Sequence, residues 1–169
     1  MLIGNKIKLR AAEPSDLDVI YSWENDPENW LVSNTIAPFS RYQILQFIEN
    51  ANDIYSSNQL RFLISNHKDE LAGCIDFYDF DPKNKRVGIG VLVDKAHRGH
   101  GYAQEALTLA ADYAFKMLEV KGIHAEILVS NETSIKLFEK AGFIKNGVKK
   151  EWLWDGEAFV DQLFYQLNR

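Results

Sequence analysis

Residues 86–107 read RVGIGVLVDKAHRGHGYAQEAL, an apolar run that breaks at two glycines around a histidine and then passes into helix-favouring residues. The run from Arg86 to Asp94 is a buried strand, and Gly88 and Gly90 inside it mark a bulge or a close approach of another backbone. A helix is expected from about Tyr102 to Met117, with Ala103, Ala106, Leu107, Ala110 and Ala114 on its inner side. Between them, R-G-H-G-Y-A presents several backbone N–H groups in succession at a helix N-terminus, where the dipole favours negative charge. Gly99 and Gly101 keep side chains away from an anion and permit positive φ where the loop turns back. Lys95 and Arg98, with His97 and His100, add positive potential, and the pattern suits a diphosphate. Turn geometry alone also accounts for such a loop. The spacing is not G-x-x-x-x-G-K-[ST], and Gln104 stands where G-x-G-x-x-G needs its last glycine, so neither a P-loop nor a Rossmann site is indicated.

Upstream, KIKLRAA (6–12) alternates Ile7, Leu9 and Ala11 against Lys6, Lys8 and Arg10, the period of a half-buried strand. Pro14, Ser15 and Asp16 supply helix-start chemistry for Leu17, Ile20 and Tyr21, in a helix ending near Asp26-Pro27. Ser40 and Gln43 form an S-x-x-Q capping box ahead of Ile44, Leu45, Phe47 and Ile48, which sets a second helix running to about Asn52. LRFLIS (60–65), the polar NHKDE and LAGCIDFYDF (71–80) predict an antiparallel hairpin. Downstream, IHAEILV (123–129) is a strand, and Asn131 to Thr133 start a short helix that Gly142 stops. KKEWLW and AFVDQLFYQL flank Asp155-Gly156, a hairpin signal. The order predicts an α/β (α+β) fold, one mixed and mostly antiparallel sheet with about four helices on its faces.

A chain of 169 residues suits one domain that buries about two thirds of its unfolded surface. The N-terminal stretch meets Lys6, Lys8 and Arg10 before any long apolar run, and no window approaches the length of a membrane span, so a cytoplasmic protein with no membrane partner is expected. The single Cys74 fits a reducing compartment and gives no zinc site, and the four histidines have no ligand spacing, so no metal is expected. The net charge of -5 argues against nucleic acid. Residues 1–81 carry 13 acidic and 6 basic side chains, a net of -7, and residues 82–169 carry 11 and 13, a net of +2. The halves thus suit partners of opposite sign, although chance on a solvated surface gives the same asymmetry.

Arg98-Gly99-His100-Gly101-Tyr102-Ala103 resembles the R/Q-x-x-G-x-G/A loop of the GCN5-related N-acetyltransferases, the GNAT superfamily. NETSIKLFEKAGF (131–143) is similar to the second cofactor segment of that family, and KLRAAEPSDLDVIYSWENDPE to the opening of its spermidine/diamine and ribosomal-protein N-acetyltransferase branches. The resemblance implies acetyl-CoA as co-substrate and one domain over 1–169, with an acceptor side at about 1–81, a cofactor side at about 82–145 and a C-terminal hairpin at 147–169. It implies that Val91, Leu92 and Val93 lie on a splayed strand whose backbone bonds pantetheine and polarises the thioester, with Gly88 and Gly90 fitting a bulge there. It places the pyrophosphate on Arg98, Gly99, His100, Gly101, Tyr102, Ala103 and Gln104, and the pantetheine arm near Asn131. At the position of the family's tyrosine acid the chain has Phe138, which has no ionisable proton.

The implied reaction is attack of a neutral primary amine on the thioester in a ternary complex, for which an ammonium must first lose a proton. Asp76 is the first candidate base, Glu24 and Glu28 the next; Asp79, three residues from Asp76, does not share its face in a regular strand but joins the candidate acceptor-binding carboxylates. Trp23, Trp30 and Phe39 are candidates for an acceptor pocket, whereas Cys74 in an apolar strand reads as packing rather than as a nucleophile. The acidic first half favours a small cationic amine such as a polyamine. A protein N-terminus is the alternative acceptor, and a non-catalytic acyl-CoA-binding module the alternative class. The aromatic C-terminal hairpin suits either a homodimer or packing on its own sheet.

Overall fold

A computed structural model describes residues 1–50 and 53–169. The hairpin expected from LRFLIS and LAGCIDFYDF forms as β3 (Leu60–Asn66) and β4 (Leu71–Asp81), paired antiparallel with Leu63 opposite Cys74. Alternation along these strands supplies two cores. Leu63 and Cys74 point to one face, where they pack with Ile20, Trp23, Ile44 and Ile48; Ile64, Ile75 and Phe77 point to the other. Side chains such as Leu63, Ile64 and Ile75 are wholly buried, each worth about 1.5–3 kcal/mol by its removal from water.

Around this hairpin the sheet extends in both directions. On one side lie β2 (Ile7–Arg10) and a short β1 (Leu2–Ile3), the latter beyond what alternation in KIKLRAA indicated. On the other lie β5 (Arg86–Val93), β6 (Gly122–Leu128) and the C-terminal hairpin of β7 (Ile144–Trp154) and β8 (Phe159–Asn168). The order is β1-β2-β3-β4-β5-β6-β8-β7, and among the described residues only β5 and β6 run parallel, so the sheet is mixed and mostly antiparallel. Helix α5 (Tyr102–Lys116) crosses β2, β4 and β5, presenting Ala106, Leu107, Ala110 and Ala114 to the sheet. Three alanines at four-residue intervals keep that face flat and let the helix lie close.

Six helices form among the described residues rather than about four. The two additional ones are α2 (Pro27–Ser33) and α4 (Ile54–Ser57), beside α1 (Leu17–Glu24), α3 (Arg41–Asn50), α5 and α6 (Glu132–Lys140). Asp26-Pro27 ends α1 and also starts α2: the Asp26 carboxylate accepts from Glu28 N at 3.0 Å, and Pro27 occupies a first-turn position where its missing N–H costs nothing. The capping box at α3 is reciprocal, Ser40 N donating to Gln43 Oε1 at 2.8 Å and Gln43 N to Ser40 Oγ at 3.2 Å. The expected end of that helix at Asn52 lies outside the described residues.

Pro14–Asp16 is a short 3-10 turn ahead of α1, and Asp16 is its anchor. Arg10 donates to both Asp16 oxygens at 2.8 and 2.9 Å, and Glu13 N donates to one of them at 2.8 Å. Arg10 first, and then the Glu13 amide, hold the carboxyl below the usual aspartate range against the opposing effect of burial. A depressed folded-state pKa contributes stability above the unfolded value and loses it as pH falls through the folded one. Asp16→Asn should therefore cost about 1–2 kcal/mol at pH 7, with the gap to wild type closing as urea melts are taken below about pH 4.

Candidate active site

Strands β5 and β6 pair only at Arg86–Gly88 against Gly122–His124. Beyond that point β5 stays on β4, with Ile75 opposite Val91, Cys74 opposite Leu92 and Gly73 opposite Val93, while β6 follows β8. The sheet splits there, and the outer edge of Gly90–Val93 is not taken by β6. The bulge in the β4–β5 ladder carries its extra residue on β4, between Tyr78 and Asp81, rather than at the β5 glycines. Gly88 has a different reason: a Cβ there would clash with the ring of Tyr78.

The split opens a cleft of about 630 Å³. One wall is Gly90, Val91 and Leu92; the other is Ala125–Leu128, with Asn131 at the cap of α6 and Ser134 and Phe138 along it. Asn131 caps α6, its side chain accepting from Ser134 N at 3.1 Å. Phe138 is buried and packs edge-on against Phe143 at 5.0 Å. Gln104 and Gln162 each keep a buried side-chain oxygen with no protein donor among the described residues.

At the end of β5 the chain makes a 3-10 turn, Lys95–His97, capped by Asp94, which also accepts from Trp23 Nε1 at 2.9 Å. Gly99 and Gly101 both adopt φ +81°. The bonding of α5 begins with Glu105 N donating to Gly101 O at 3.2 Å, so the amides of Tyr102, Ala103 and Gln104 have no protein acceptor among the described residues. Apart from Gly99 itself and its two chain neighbours, no atom of the described residues stands within 4 Å of the position a Gly99 Cβ would take. A concave row of free amides at the head of a 15-residue helix has the geometry to receive phosphate oxygens. Arg98 stays at this loop, its Nε donating to Val93 O at 3.2 Å. Lys95 does not: it reaches back to Asp26 at 3.1 Å and Glu28 at 2.9 Å.

The far end of the cleft holds three charged side chains. Arg61 lies between Asp76, which accepts from Nε and Nη2 at 2.6 and 2.9 Å, and Glu24, which pairs with Nη1. The guanidinium also covers the Phe47 ring, 4.9 Å from its centroid. Two carboxylates and one guanidinium sum to one negative charge at the end lined by Trp23, Phe39 and Phe47. Trp30, by contrast, donates Nε1 to Glu24 O at 3.0 Å and stands outside the lining. Glu28 also lies outside it, on Lys95, and Asp79 lines a separate hollow with Arg86 and His124. Of the four candidate acceptor carboxylates, the fold thus brings together Glu24 and Asp76. Cys74 is buried beside them with its thiol pushed well up by burial, which keeps it protonated and unreactive. Arg61 was missed in the sequence, where its only signal is a lone charge inside the apolar LRFLIS.

The model of the acetyltransferase (GNAT) domain matches residues 6–144. The chain belongs to the GNAT acetyltransferase family. It is an acetyl-CoA-dependent N-acetyltransferase, and its relatives are named as N-acetyltransferases. It is 33% identical to an uncharacterized N-acetyltransferase, p20, of Bacillus licheniformis, over 98% of this chain and 94% of that one. It is 23% identical to the spermidine N(1)-acetyltransferase of Vibrio cholerae, over 99% of this chain and 92% of that one. The structure of a Vibrio cholerae spermidine N-acetyltransferase in complex with CoA and spermine superposes with a TM-score of 0.86 at 21% identity, covering 98% of this chain and 96% of that chain. The split sheet and glycine loop are therefore those of a GNAT fold. No helix among the described residues is long and apolar enough to cross a membrane.

Proposed function

We propose that this enzyme moves the acetyl group of acetyl-CoA directly to a small cationic primary amine, such as a polyamine, with both substrates held in the cleft. The observation that carries the acceptor is the residual negative charge of the Glu24–Arg61–Asp76 cluster at the aromatic end of the cleft. On this reading residues 1–81 build the acceptor side and 82–145 the donor side. The diphosphate lies on the amides from Gly99 to Gln104, with Arg98 beside it, and the pantetheine arm runs along Val91, Leu92 and Val93 past Asn131. Gln162 Oε1 offers an acceptor to an amide of that arm.

The ammonium binds at the cluster, where each carboxylate oxygen retains a lone pair after its bond to Arg61. Asp76, held through both oxygens, fixes the charge. Glu24 is bonded to Arg61 through Oε1 alone and keeps its second oxygen to receive the proton. The neutral nitrogen then bonds to the thioester carbon. An amide on the free edge of β5 steadies the developing oxyanion, an interaction worth about 3–4 kcal/mol elsewhere. The C–S bond breaks and CoA leaves as thiolate, while the nitrogen, cationic since the new bond formed, gives its second proton to solvent to become the neutral amide. Phe138 has no proton to give, and the thiolate takes one from solvent. A protein N-terminus is the second reading, favoured by the Escherichia coli ribosomal-protein-serine acetyltransferase at 22% identity over 96% of this chain.

Release of free CoA thiol from acetyl-CoA on adding spermidine is the expected result. It should fall by about 100-fold or more in the Glu24→Gln/Asp76→Asn double variant, because both charge and base are gone. No release with spermidine, but release with a serine-headed peptide, would overturn the polyamine reading and leave acetyl transfer standing.

A further inference from the structure

We propose that Lys6, from the turn before β2, is a ligand of the CoA diphosphate; the inference rests on the reading of the α5 loop as the diphosphate cradle. Lys6 is 94 positions from His100 in sequence, yet its Nζ donates to His100 O at 3.1 Å and stands 3.1 Å from where a Gly101 Cβ would be. An ammonium has three N–H bonds, so after His100 two remain for an anion resting on the adjoining amides. The position is enforced rather than incidental. Lys6 N donates to both oxygens of Glu105, at 3.0 and 3.2 Å, and Asn5 N donates to the same carboxylate. Glu105 occupies the first turn of α5, so this staple ties the turn carrying Lys6 to the head of the helix that carries the cradle.

The same staple creates a need for a cation. The Glu105 carboxylate is a negative charge within one turn of the phosphate-binding amides, and it opposes a diphosphate. Lys95, the nearest lysine in sequence, is committed to Asp26 and Glu28. Among the described residues, Arg98 and Lys6 are the remaining side-chain cations of fixed charge with a bond to the loop or to the strand leading into it. Lys6 therefore offsets Glu105 as well as meeting the anion.

The test is calorimetric titration of wild type, Lys6→Met and Lys6→Arg with CoA, dephospho-CoA and pantetheine. Methionine keeps the apolar stem of an exposed side chain, and a thermal melt verifies the fold. Lys6→Met is expected to weaken CoA and dephospho-CoA alike by about tenfold, to leave pantetheine unchanged, and to be largely rescued in Lys6→Arg. Wild-type affinity for CoA in Lys6→Met overturns the inference and leaves the cradle intact. So does an equal loss for pantetheine, which would mark a structural role, or a loss confined to CoA, which would move the contact to the 3′-phosphate. If wild type itself binds CoA no better than pantetheine, the cradle reading fails, and Lys6 with it.

Discussion

Gly101→Glu is expected to lower kcat/KM for acetyl-CoA by at least about 100-fold, equivalent to roughly 2.7 kcal/mol of lost transition-state stabilisation, in a protein that still folds. Three effects add. At φ +81° a side chain other than glycine or asparagine costs about 1–2 kcal/mol, which disturbs the loop at its tightest point. The new carboxylate enters the concave side of the loop, next to the amides of Tyr102, Ala103 and Gln104, and repels a dianionic diphosphate. It also lies beside Lys6 Nζ, 3.1 Å from the Cβ position, and would neutralise that charge by pairing with it. Gly101→Asn separates these effects, because asparagine tolerates the left-handed backbone and adds no charge; its loss should be about tenfold or less. The thiol-release assay at varied acetyl-CoA would show the Glu variant as a rise in KM. A KM near that of wild type would mean that the diphosphate does not rest on this loop.

That loop was legible because its chemistry is local: a strand, two glycines and a helix start are consecutive in the chain. The same holds for the β3–β4 hairpin, whose alternation survives in Leu63 and Ile64, and for the reciprocal cap of Ser40 and Gln43. The split between β5 and β6 has no local signature, since it depends on β6 leaving β5 after three residue pairs to follow β8. It came from the family resemblance, not from periodicity. The carboxylates divide on the same ground. Asp76 and Glu24 meet through Arg61, a partner 37 positions from Glu24 and 15 from Asp76, and a lone arginine in an apolar strand announces only that some counter-charge must exist. Asp79 lies across a bulge that only strand pairing reveals. Lys6 reads as one polar tooth of an alternating strand, and only the pairing of the N-terminal turn with α5 shows where its charge goes.

The other large effect falls on stability. Arg61→Met should lower it by about 3–5 kcal/mol, seen as a fall of roughly 10 °C in Tm. The Arg61 side chain is 13% exposed. Burial opposes its charge, but Asp76 and Glu24 more than offset this and raise the guanidinium further above its ordinary range. Methionine fills the volume over Phe47 and leaves two neighbouring carboxylates, with side chains 18% and 32% exposed, without a counter-ion. Adding Glu24→Gln and Asp76→Asn to Arg61→Met should recover a large part of the loss, because the cost lies in the uncompensated charges and not in the missing contacts. The same substitution should act oppositely on acceptor binding. Removing Arg61 takes the cluster from one negative charge to two, so an ammonium entering the cleft becomes the missing counter-ion. KM for spermidine should then fall although Tm falls, and the same excess of spermidine should raise the Tm of Arg61→Met by more than that of wild type, since at a given free concentration L the tighter ligand stabilises the state it binds more, by RT ln(1 + L/Kd). If Arg61→Met melts at the wild-type temperature, the cluster carries no buried charge balance. If it melts early and spermidine protects it no better than wild type, the acceptor ammonium does not reach Glu24 and Asp76.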